Sequence, residues 1–387
     1  MAAAMRLLAL LCLLLTTRGE AKGPELTVDA YGDTQTAAAV DRTFCLGQWN
    51  GGSWVHDPSI SQPYARPLKP KTELERNQMC TAEKDKSWQY TWQQGPDVDE
   101  RCKLVRPTPH QLCKALANKR LLLIGDSLTM QMVVSLTKLS GTGEEEVDDN
   151  LLNTGCAHLT CDTDDKGTQA SFTLCKLYAA KMLVEPFPRQ EFLGGVCKLP
   201  PERKSFFQFV SAEELREYVD AADYVIINEF AWWVGHMHKD LRTCLGARMS
   251  AGDASEMAFS AITELYRNQT WTKTAVMEGT QTPVYYRTAT PGRPERSQVH
   301  GPMDLKAVKA KLFAYGHEHY ARYNDIAREA YTARGLNMLE LEELMVPRVD
   351  GHPKGDAIHY CLPGPPDTFA YVLYSFILPR DSAGNPV

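Results

Sequence analysis

The sequence lacks the features that define several classes of protein. None of its 11 cysteines forms a Cys-x-x-Cys pair, and their spacings match no zinc module, which argues against a thiol–disulfide enzyme and against metal held by cysteine. There is no basic excess, because 42 Lys and Arg stand against 48 Asp and Glu, and the net charge of -6 gives no footprint for nucleic acid. Internal repeats, heptads and long low-complexity tracts are also missing. With 43% hydrophobic residues over 387 positions, the chain can instead bury the core of one large domain or two.

Long apolar runs are scarce as well. The run Leu7–Leu15 follows a single early positive charge and precedes polar residues, which is typical of a signal peptide. A membrane span takes about 20 apolar residues, and this run is roughly half as long. We therefore predict a signal peptide at residues 1–21, cleaved near Gly19 or Ala21, with an uncleaved Golgi-type anchor as the alternative. No other stretch is long enough for a stable membrane span.

Ten cysteines follow the predicted signal peptide, and an even number in that context predicts disulfides. Their pairing cannot be deduced from the sequence. The sequon Asn268-Gln269-Thr270 fits the same compartment. We therefore expect the protein in the secretory pathway, either in the Golgi lumen or outside the cell. The ten are Cys45, Cys80, Cys102, Cys113, Cys156, Cys161, Cys175, Cys197, Cys244 and Cys361.

Composition divides the mature chain into two regions. Residues 22–115 consist of short, irregular pieces rich in Trp, Pro and Cys, and we expect disulfides to hold this region against a larger core. In residues 116–387, strand and helix patterns alternate, which is the order typical of an α/β fold. We predict that this second region is built around a mostly parallel sheet.

Several elements of the second region can be predicted from apolar periodicity. The aliphatic run Leu121–Ile124 is typical of a strand buried on both faces, and apolar residues then recur every four positions, as in an amphipathic helix. Ser211 begins a capping box for a helix that runs to about Ala221, and Tyr224–Ile227 reads as the next strand. Further predictions are a strand at 283–286, one or two helices at 304–334 and a strand at 336–341.

The tripeptide Gly125-Asp126-Ser127 lies between the first of these strands and its helix. A serine at such a turn has its hydroxyl at the sheet edge and its N–H facing a developing oxyanion, although the tripeptide can also be a simple tight turn. Far along the chain, Asp356 and His359 are three positions apart, which places both on one face of a helical turn. Their alternative is a surface pair. Together, the three residues predict serine-dependent acyl transfer, with the carboxylate orienting the imidazole that takes the serine proton.

Two motifs resemble those of the trichome-birefringence-like polysaccharide O-acetyltransferases, in the PC-esterase branch of the SGNH/GDSL hydrolases. One is Gly125–Leu128. The other runs over 356–369 and is similar to the ending Asp-x-x-His-(aromatic)-Cys-Leu-Pro-Gly-x-Pro-Asp-Thr-(aromatic). Weaker similarities to this family lie at Cys45, Trp54–Asp57, Trp88–Gln93, Cys102, Ile227–Trp233 and Tyr286–Pro291.

This resemblance implies an SGNH-like three-layer α/β sandwich around the mostly parallel sheet, with the disulfide-rich N-terminal region packed on it. It also implies that Ser127 is the nucleophile, His359 the base and Asp356 its orienting carboxylate, with an acetyl-serine intermediate. The expected partners are a polysaccharide or glycan acceptor and an acyl donor. No cofactor or metal is expected.

The remaining candidate site residues follow the predicted strands. Asn228 is the candidate to form the oxyanion hole with the Ser127 N–H, with a helix or turn cap as its alternative. Candidates for sugar contact are Trp232, Trp233 and Arg287, although the two tryptophans can also belong to the core.

Two departures from the family pattern concern the acceptor. Phe230-Ala231 replaces the Gly-His of the family's Asn-Thr-Gly-His-Trp-Trp block, and an Asn-Gly-Arg-Pro-Asp stretch is absent before Trp88. The alternatives to a transferase are a secreted carbohydrate acetyl esterase and a non-catalytic glycan-binding protein. The pairs His236/His238 and His317/His319 are spaced two apart and would not share a helix face, so they predict no metal site.

Overall fold

The structure is a computed structural model. It describes residues 45, 52–64, 86–99, 102–142, 155–179, 181–185, 207–247, 249–292, 301–309, 317, 319–353 and 356–377. The predicted signal peptide lies outside the described residues. Within these ranges, no helix is both long enough and apolar enough to cross a membrane.

The described residues form both β-strands and α-helices. In chain order they are β1 (Ser53–His56), β2 (Tyr90–Gln93), β3 (Arg120–Gly125), β4 (Gly155–Asp162), β5 (Gln169–Tyr178), β6 (Lys181–Val184), β7 (Phe207–Val210), β8 (Tyr224–Asn228), β9 (Val284–Arg287) and β10 (Asn337–Leu339). The α-helices are α1 (Pro109–Leu116), α2 (Ser127–Leu139), α3 (Ala212–Asp220), α4 (Ala231–Gly246), α5 (Ala251–Met277), α6 (Leu305–Lys309), α7 (Tyr320–Thr332), α8 (Glu342–Met345) and α9 (Pro365–Phe376).

The central sheet has six strands in the order β10-β9-β8-β3-β5-β4. All neighbours are parallel except β4, which pairs antiparallel with β5 at one edge. In the register, Gly125 at the end of β3 lies between Tyr178 of β5 and Asn228 of β8. The chain leaves β3 toward β5 on one side and later adds β8 on the other, so β3 is a topological switch point, where open α/β sheets place their sites.

Successive residues of the inner strands point to opposite faces of the sheet, and both faces are covered by helices. Leu121 and Leu123 pack with apolar residues of α1, α2, α8 and α9, whereas Leu122 and Ile124 pack with residues of α3, α5 and α7. The result is the three-layer sandwich that was predicted. A separate cluster, built mainly from α4, α5 and α7, extends the second helical layer.

The N-terminal region packs on the larger domain through an antiparallel ribbon of β1 and β2. Trp54 of β1 donates its indole N–H to the Leu344 carbonyl at 2.8 Å, and the Arg348 guanidinium lies 4.5 Å above the same ring. Arg348 also donates to the Ser87 carbonyl at 2.5 Å. These contacts join residues more than 260 positions apart in the sequence, and residues of both regions lie in one apolar cluster.

Disulfides hold the chain at several points, as the even cysteine count predicts. Every cysteine in the described part of the chain is disulfide-bonded, including Cys244 and Cys361. Three bridges are described in full: Cys45–Cys102, Cys113–Cys161 and Cys156–Cys175. The second ties α1 to the antiparallel edge strand β4, and the third joins β4 to β5 within the sheet. The framework therefore supports the edge of the sheet as well as the N-terminal region.

The helices and strands predicted from periodicity begin and end close to the observed positions. The run Leu121–Ile124 is the centre of β3, the Ser211 hydroxyl caps α3 by accepting from the Glu214 N–H at 2.9 Å, and the region 304–334 contains α6 and α7. The last predicted strand is shorter than expected because the chain turns into α8 soon after Leu339. Strands β4 to β7 carry weak periodicity and were not predicted.

The sequon asparagine, Asn268, lies in the long helix α5 with its side chain exposed. Thr270 of the same sequon is buried, and its hydroxyl donates to the Tyr266 carbonyl at 2.8 Å. The asparagine is therefore accessible on the folded surface, while the threonine belongs to the packing of the helix.

Candidate active site

Ser127 is the first residue of α2 and follows β3 after a turn of one residue. The carboxylate of that residue, Asp126, caps the helix by accepting from the Leu128 N–H at 3.0 Å. Gly125 permits the turn, because a Cβ there would lie 2.2 Å from the Asn228 carbonyl oxygen and 2.3 Å from the Thr129 hydroxyl. The tight turn thus brings the ends of β3 and β8 together beneath the serine.

The structure brings Ser127, His359 and Asp356 together in one hydrogen-bonded chain. His359 Nε2 lies 2.7 Å from Ser127 Oγ, and Nδ1 lies 2.6 Å from Asp356 Oδ2. A carboxylate only accepts, so Nδ1 carries the proton and Nε2 can accept the one from the serine hydroxyl. Ser127 is 9% exposed, so its side chain lies at the edge of the protein interior with Oγ held toward His359.

The Asp356 carboxylate is held in its ionised form. Burial by itself would raise its pKa, but hydrogen bonds from the His359 side chain and from the N–H groups of His359 and Ile358 outweigh burial and hold the pKa well below the usual 3.8. The two N–H groups donate to Oδ1 at 3.0 and 2.8 Å, so one oxygen fixes the loop and the other fixes the imidazole. An ionised Asp356 stabilises the imidazolium that forms when His359 takes a proton.

Buried polar contacts attach the Asp356–His359 loop to α2. Gln131 donates to the Tyr360 carbonyl at 2.6 Å and accepts from the Tyr360 N–H at 3.0 Å, so its amide binds both backbone groups of the residue after His359. One turn further along α2, the Ser135 hydroxyl donates to Asp367 Oδ1 at 2.5 Å. Sequence reasoning missed Gln131 and Ser135, although a signal exists: Ser127, Gln131 and Ser135 are four apart and form a polar line along one face of α2.

Asp367 joins the N-terminal region to this network. Tyr64 donates its hydroxyl to Asp367 Oδ1 at 2.6 Å, and the Gly364 N–H donates to Oδ2 at 3.0 Å. Burial raises the pKa of Asp367 to about 6 in spite of these hydrogen bonds. The residue therefore lies at a junction of three parts of the chain, and its charge depends on pH within the acidic range.

Asn228, the predicted oxyanion donor, lies at the end of β8, paired with Gly125. It is 2% exposed, and its Nδ2 donates to the Arg287 carbonyl at 2.9 Å. An amide nitrogen carries two hydrogens, so this bond leaves a second N–H for a ligand. The Ser127 N–H is one of the first amides of α2, which have no acceptor within the helix. Both predicted donors therefore lie at one edge of the sheet.

Three buried charges lie around the turn that carries Ser127. Asp126 is 0% exposed, and the fully buried cations Lys176 and Arg287 lie on the strands to either side of β3 and β8. Burial raises the pKa of Asp126, and the charge of Arg287 opposes that rise. Burial also lowers the pKa of Lys176 to about 8 and that of Arg287 to about 10. Asp126 thus lies next to two cations beneath Ser127, and burial and the charge of Arg287 act on its pKa in opposite directions.

The residues predicted to contact sugar occupy different environments. Trp232 is partly exposed, whereas Trp233 is 0% exposed and packs edge-on against Tyr266, with ring centroids 5.2 Å apart. Arg287 is 1% exposed, and its guanidinium lies 4.1 Å above the Phe369 ring. Of the three, only Trp232 presents a surface to solvent in this structure.

Of the two histidine pairs, the structure describes the side chains of His317 and His319. The side chains of His236 and His238 lie outside the described residues. His317 is buried, its Nδ1 accepts from the Gly292 N–H at 3.1 Å, and burial lowers its pKa to about 4. His319 packs against the Phe259 ring, with centroids 4.2 Å apart. His317 thus fixes a loop, and His319 covers an aromatic side chain.

The parallel sheet, the serine at the β3–α2 turn and the Asp–His–Ser contacts define an α/β protein of the SGNH type. The sequence over residues 104–376 matches the family model PC-Esterase, described as a GDSL/SGNH-like acyl-esterase family found in Pmr5 and Cas1p. This match covers more than half of the chain, and the protein belongs to that family.

Two plant proteins are similar to this chain over most of its length. Xylan O-acetyltransferase 4 of Oryza sativa subsp. japonica is 22% identical over 374 residues, which cover 87% of this chain and 73% of the rice protein. Protein trichome birefringence-like 39 of Arabidopsis thaliana is 24% identical over 90% of this chain and 93% of its own. Among solved structures, LAE5, an alpha/beta hydrolase from the metagenome of Lake Arreo, Spain, is 12% identical, covers 67% of this chain and 95% of its own, and has a TM-score of 0.32.

Proposed function

We propose that this protein transfers an acetyl group to a polysaccharide hydroxyl through an acetyl-serine at Ser127, with His359 as the base and Asp356 as its orienting carboxylate. The observation that carries the proposal is the pair of contacts at His359, 2.7 Å to Ser127 Oγ and 2.6 Å to Asp356 Oδ2. Each distance is that of a short hydrogen bond between a base and its partners.

The first half of the reaction forms the acyl-enzyme. Ser127 Oγ attacks the ester carbonyl of the donor as His359 Nε2 takes its proton. The resulting oxyanion is held by the Ser127 N–H and the free N–H of Asn228. Collapse of the tetrahedral intermediate breaks the ester bond, and the departing alcohol oxygen takes the proton from His359. The acetyl group then remains on Ser127.

In the second half, His359 takes the proton of an acceptor hydroxyl, whose oxygen attacks the acetyl-serine carbonyl. The intermediate collapses, the acetyl group leaves with the acceptor, and Ser127 Oγ regains its proton from His359. A sugar hydroxyl gives O-acetylation, and water gives hydrolysis. The similarity to proteins named xylan O-acetyltransferases makes xylan the first acceptor to test. We infer that this occurs in the Golgi lumen or outside the cell, where the disulfides are stable.

The test is turnover of p-nitrophenyl acetate by the disulfide-bonded protein, by Ser127→Ala and by Ser59→Ala, which removes an exposed hydroxyl from the N-terminal region. We expect loss of turnover in Ser127→Ala alone. With xylan and other polysaccharides added, acetate found on the polymer supports the transferase. Acetate released only into solution supports the esterase. Equal turnover in all three proteins would contradict the serine mechanism and favour a glycan-binding protein.

A further inference from the structure

A buried ion pair lies directly after the candidate oxyanion residue. Glu229 follows Asn228 in the two-residue turn between β8 and α4, and its Oε2 lies 2.5 Å from Nζ of Lys273 on α5. The side chains of Glu229 and Lys273 are 1% and 3% exposed. The chemistry described above uses neither side chain. In the family block that this segment resembles, the residue after Asn is Thr, whereas here it is Glu229.

The backbone carbonyl of Glu229 also faces polar partners. The Tyr266 and Tyr286 hydroxyls lie 3.5 and 3.3 Å from its oxygen. One of these hydroxyls donates to the other at 2.7 Å, which leaves one hydroxyl hydrogen for the Glu229 carbonyl. Tyr266 and Lys273 are two turns apart on α5, so one face of this helix lies against both the carbonyl and the side chain of Glu229. Glu229 is therefore held at its carboxylate by α5 and at its carbonyl by residues of α5 and β9.

Stability alone gives a weak reason for such a pair. Removing two charges from water is costly, and replacing a buried ion pair by apolar residues of similar volume is often neutral or stabilising. What an ion pair supplies, and apolar contact does not, is a fixed direction and distance. Here that constraint acts on the turn that carries Asn228, whose amide has to face the same point as the Ser127 N–H.

We propose that the Glu229–Lys273 ion pair is a positioning device that holds Asn228 in the oxyanion hole. The proposal rests on the proposed function, because Asn228 has a transition state to stabilise only if Ser127 is acylated. Glu229 and Lys273 contact neither substrate nor reacting atoms, and they act through Asn228. Their removal should therefore lower kcat and leave KM nearly unchanged, since an oxyanion donor acts on the transition state more than on the bound substrate.

The test is the double variant Glu229→Met with Lys273→Met, compared with Arg267→Gln with Glu329→Gln, which removes a more exposed ion pair between α5 and α7. We expect the buried double variant to fold with a melting temperature at or above that of the parent. Its kcat for p-nitrophenyl acetate should fall about tenfold, less than the roughly 10²–10³ that a lost oxyanion donor costs. The exposed double variant should keep the parent kcat.

The deciding measurement repeats the buried substitutions in an Asn228→Ala background. If the pair acts through Asn228, its removal there should change kcat no further, because the group it positions is gone. A parent-like kcat in the buried double variant, or the same loss in both backgrounds, would overturn the inference. If the double variant does not fold, Glu229→Gln, which keeps the size of the side chain, replaces it. Its kcat is compared with that of the parent, and its effect on kcat is measured again in the Asn228→Ala background. Full activity in Ser127→Ala would instead overturn the proposed function.

Discussion

A close backbone approach in the site makes Gly125 sensitive to substitution. A methyl group at Gly125 would lie 2.2 Å from the Asn228 carbonyl and 2.3 Å from the Thr129 hydroxyl, whereas carbon and its neighbours normally stay about 3.5 Å apart. The Asn228 contact is with backbone atoms, so a rotamer change cannot relieve it. The backbone φ of +155° also disfavours a side chain. Gly125→Ala should therefore push β8 away from β3 by about 1 Å at the end that carries Asn228.

The consequence for activity follows from that displacement. A misplacement of 1 Å between reacting groups can lower a rate about 10²-fold, and overpacking costs about 1–3 kcal/mol of stability. We expect Gly125→Ala to remain folded, to lose about 1–3 kcal/mol of unfolding free energy and to show a kcat for p-nitrophenyl acetate about 10²-fold below the parent value.

The assay pairs steady-state turnover with urea unfolding. Gly246→Ala is the matched control, because a Cβ at this last residue of α4 meets no atom within 4 Å. It should change neither quantity. Parent-like turnover in Gly125→Ala would show that the close approach of β3 and β8 does not set the geometry of the oxyanion hole. A large loss of stability with unchanged kcat in the folded fraction would lead to the same conclusion.

Three further predictions test other parts of the site. Asp356→Asn should lower kcat by roughly 10³–10⁴ without unfolding the protein, because the amide no longer fixes the His359 tautomer; turnover by the folded variant checks this. Asp367 has a pKa of about 6 in the folded protein against the usual 3.8, so the folded state binds the proton more tightly and unfolding free energy should fall by about 3 kcal/mol as pH rises from about 4 to 6. Urea midpoints should show that this slope is absent in Asp367→Asn, and an identical slope would refute it. Trp233→Ala should cost about 3–5 kcal/mol of stability because the ring is fully buried, whereas Trp232→Ala should raise KM for polysaccharide and leave p-nitrophenyl acetate turnover unchanged.

The sequence predicts those parts of the protein whose structure depends on a short, local pattern of residues. The aliphatic run of β3, the serine after it and the Asp-x-x-His spacing each have a short-range physical meaning, and the fold class follows from the alternation of strand and helix patterns. Strands β4 and β5 could not be predicted in the same way. Their positions depend on antiparallel pairing at a sheet edge and on the Cys156–Cys175 bridge, and neither leaves a strong period in the sequence.

The partners of the residues that position the site could not be predicted from the sequence. Gln131 and Glu229 read as ordinary polar residues, because their meaning depends on partners far away in the chain: Tyr360 is 229 positions from Gln131, and Lys273 is 44 positions from Glu229. Trp232 and Trp233 illustrate the same limit. Adjacent aromatic residues point in different directions from a helix, but only the packing of α5 shows which of them is buried.

Ser127 and His359 come from elements 232 positions apart, and apolar packing alone would not set their distance to within a few tenths of an ångström. Burial of α2 against α9 stabilises the packing of these two helices, but the hydrophobic effect is non-directional. Hydrogen bonds, in contrast, fix heavy-atom distances narrowly. The Gln131–Tyr360 and Ser135–Asp367 contacts lie one and two turns after Ser127, so they fix the register of the Asp356–His359 loop along α2. The distance between Ser127 and His359 thus depends on the side chains of Gln131, Ser135 and Asp367, which bind the backbone and the helix after the loop rather than the two residues themselves.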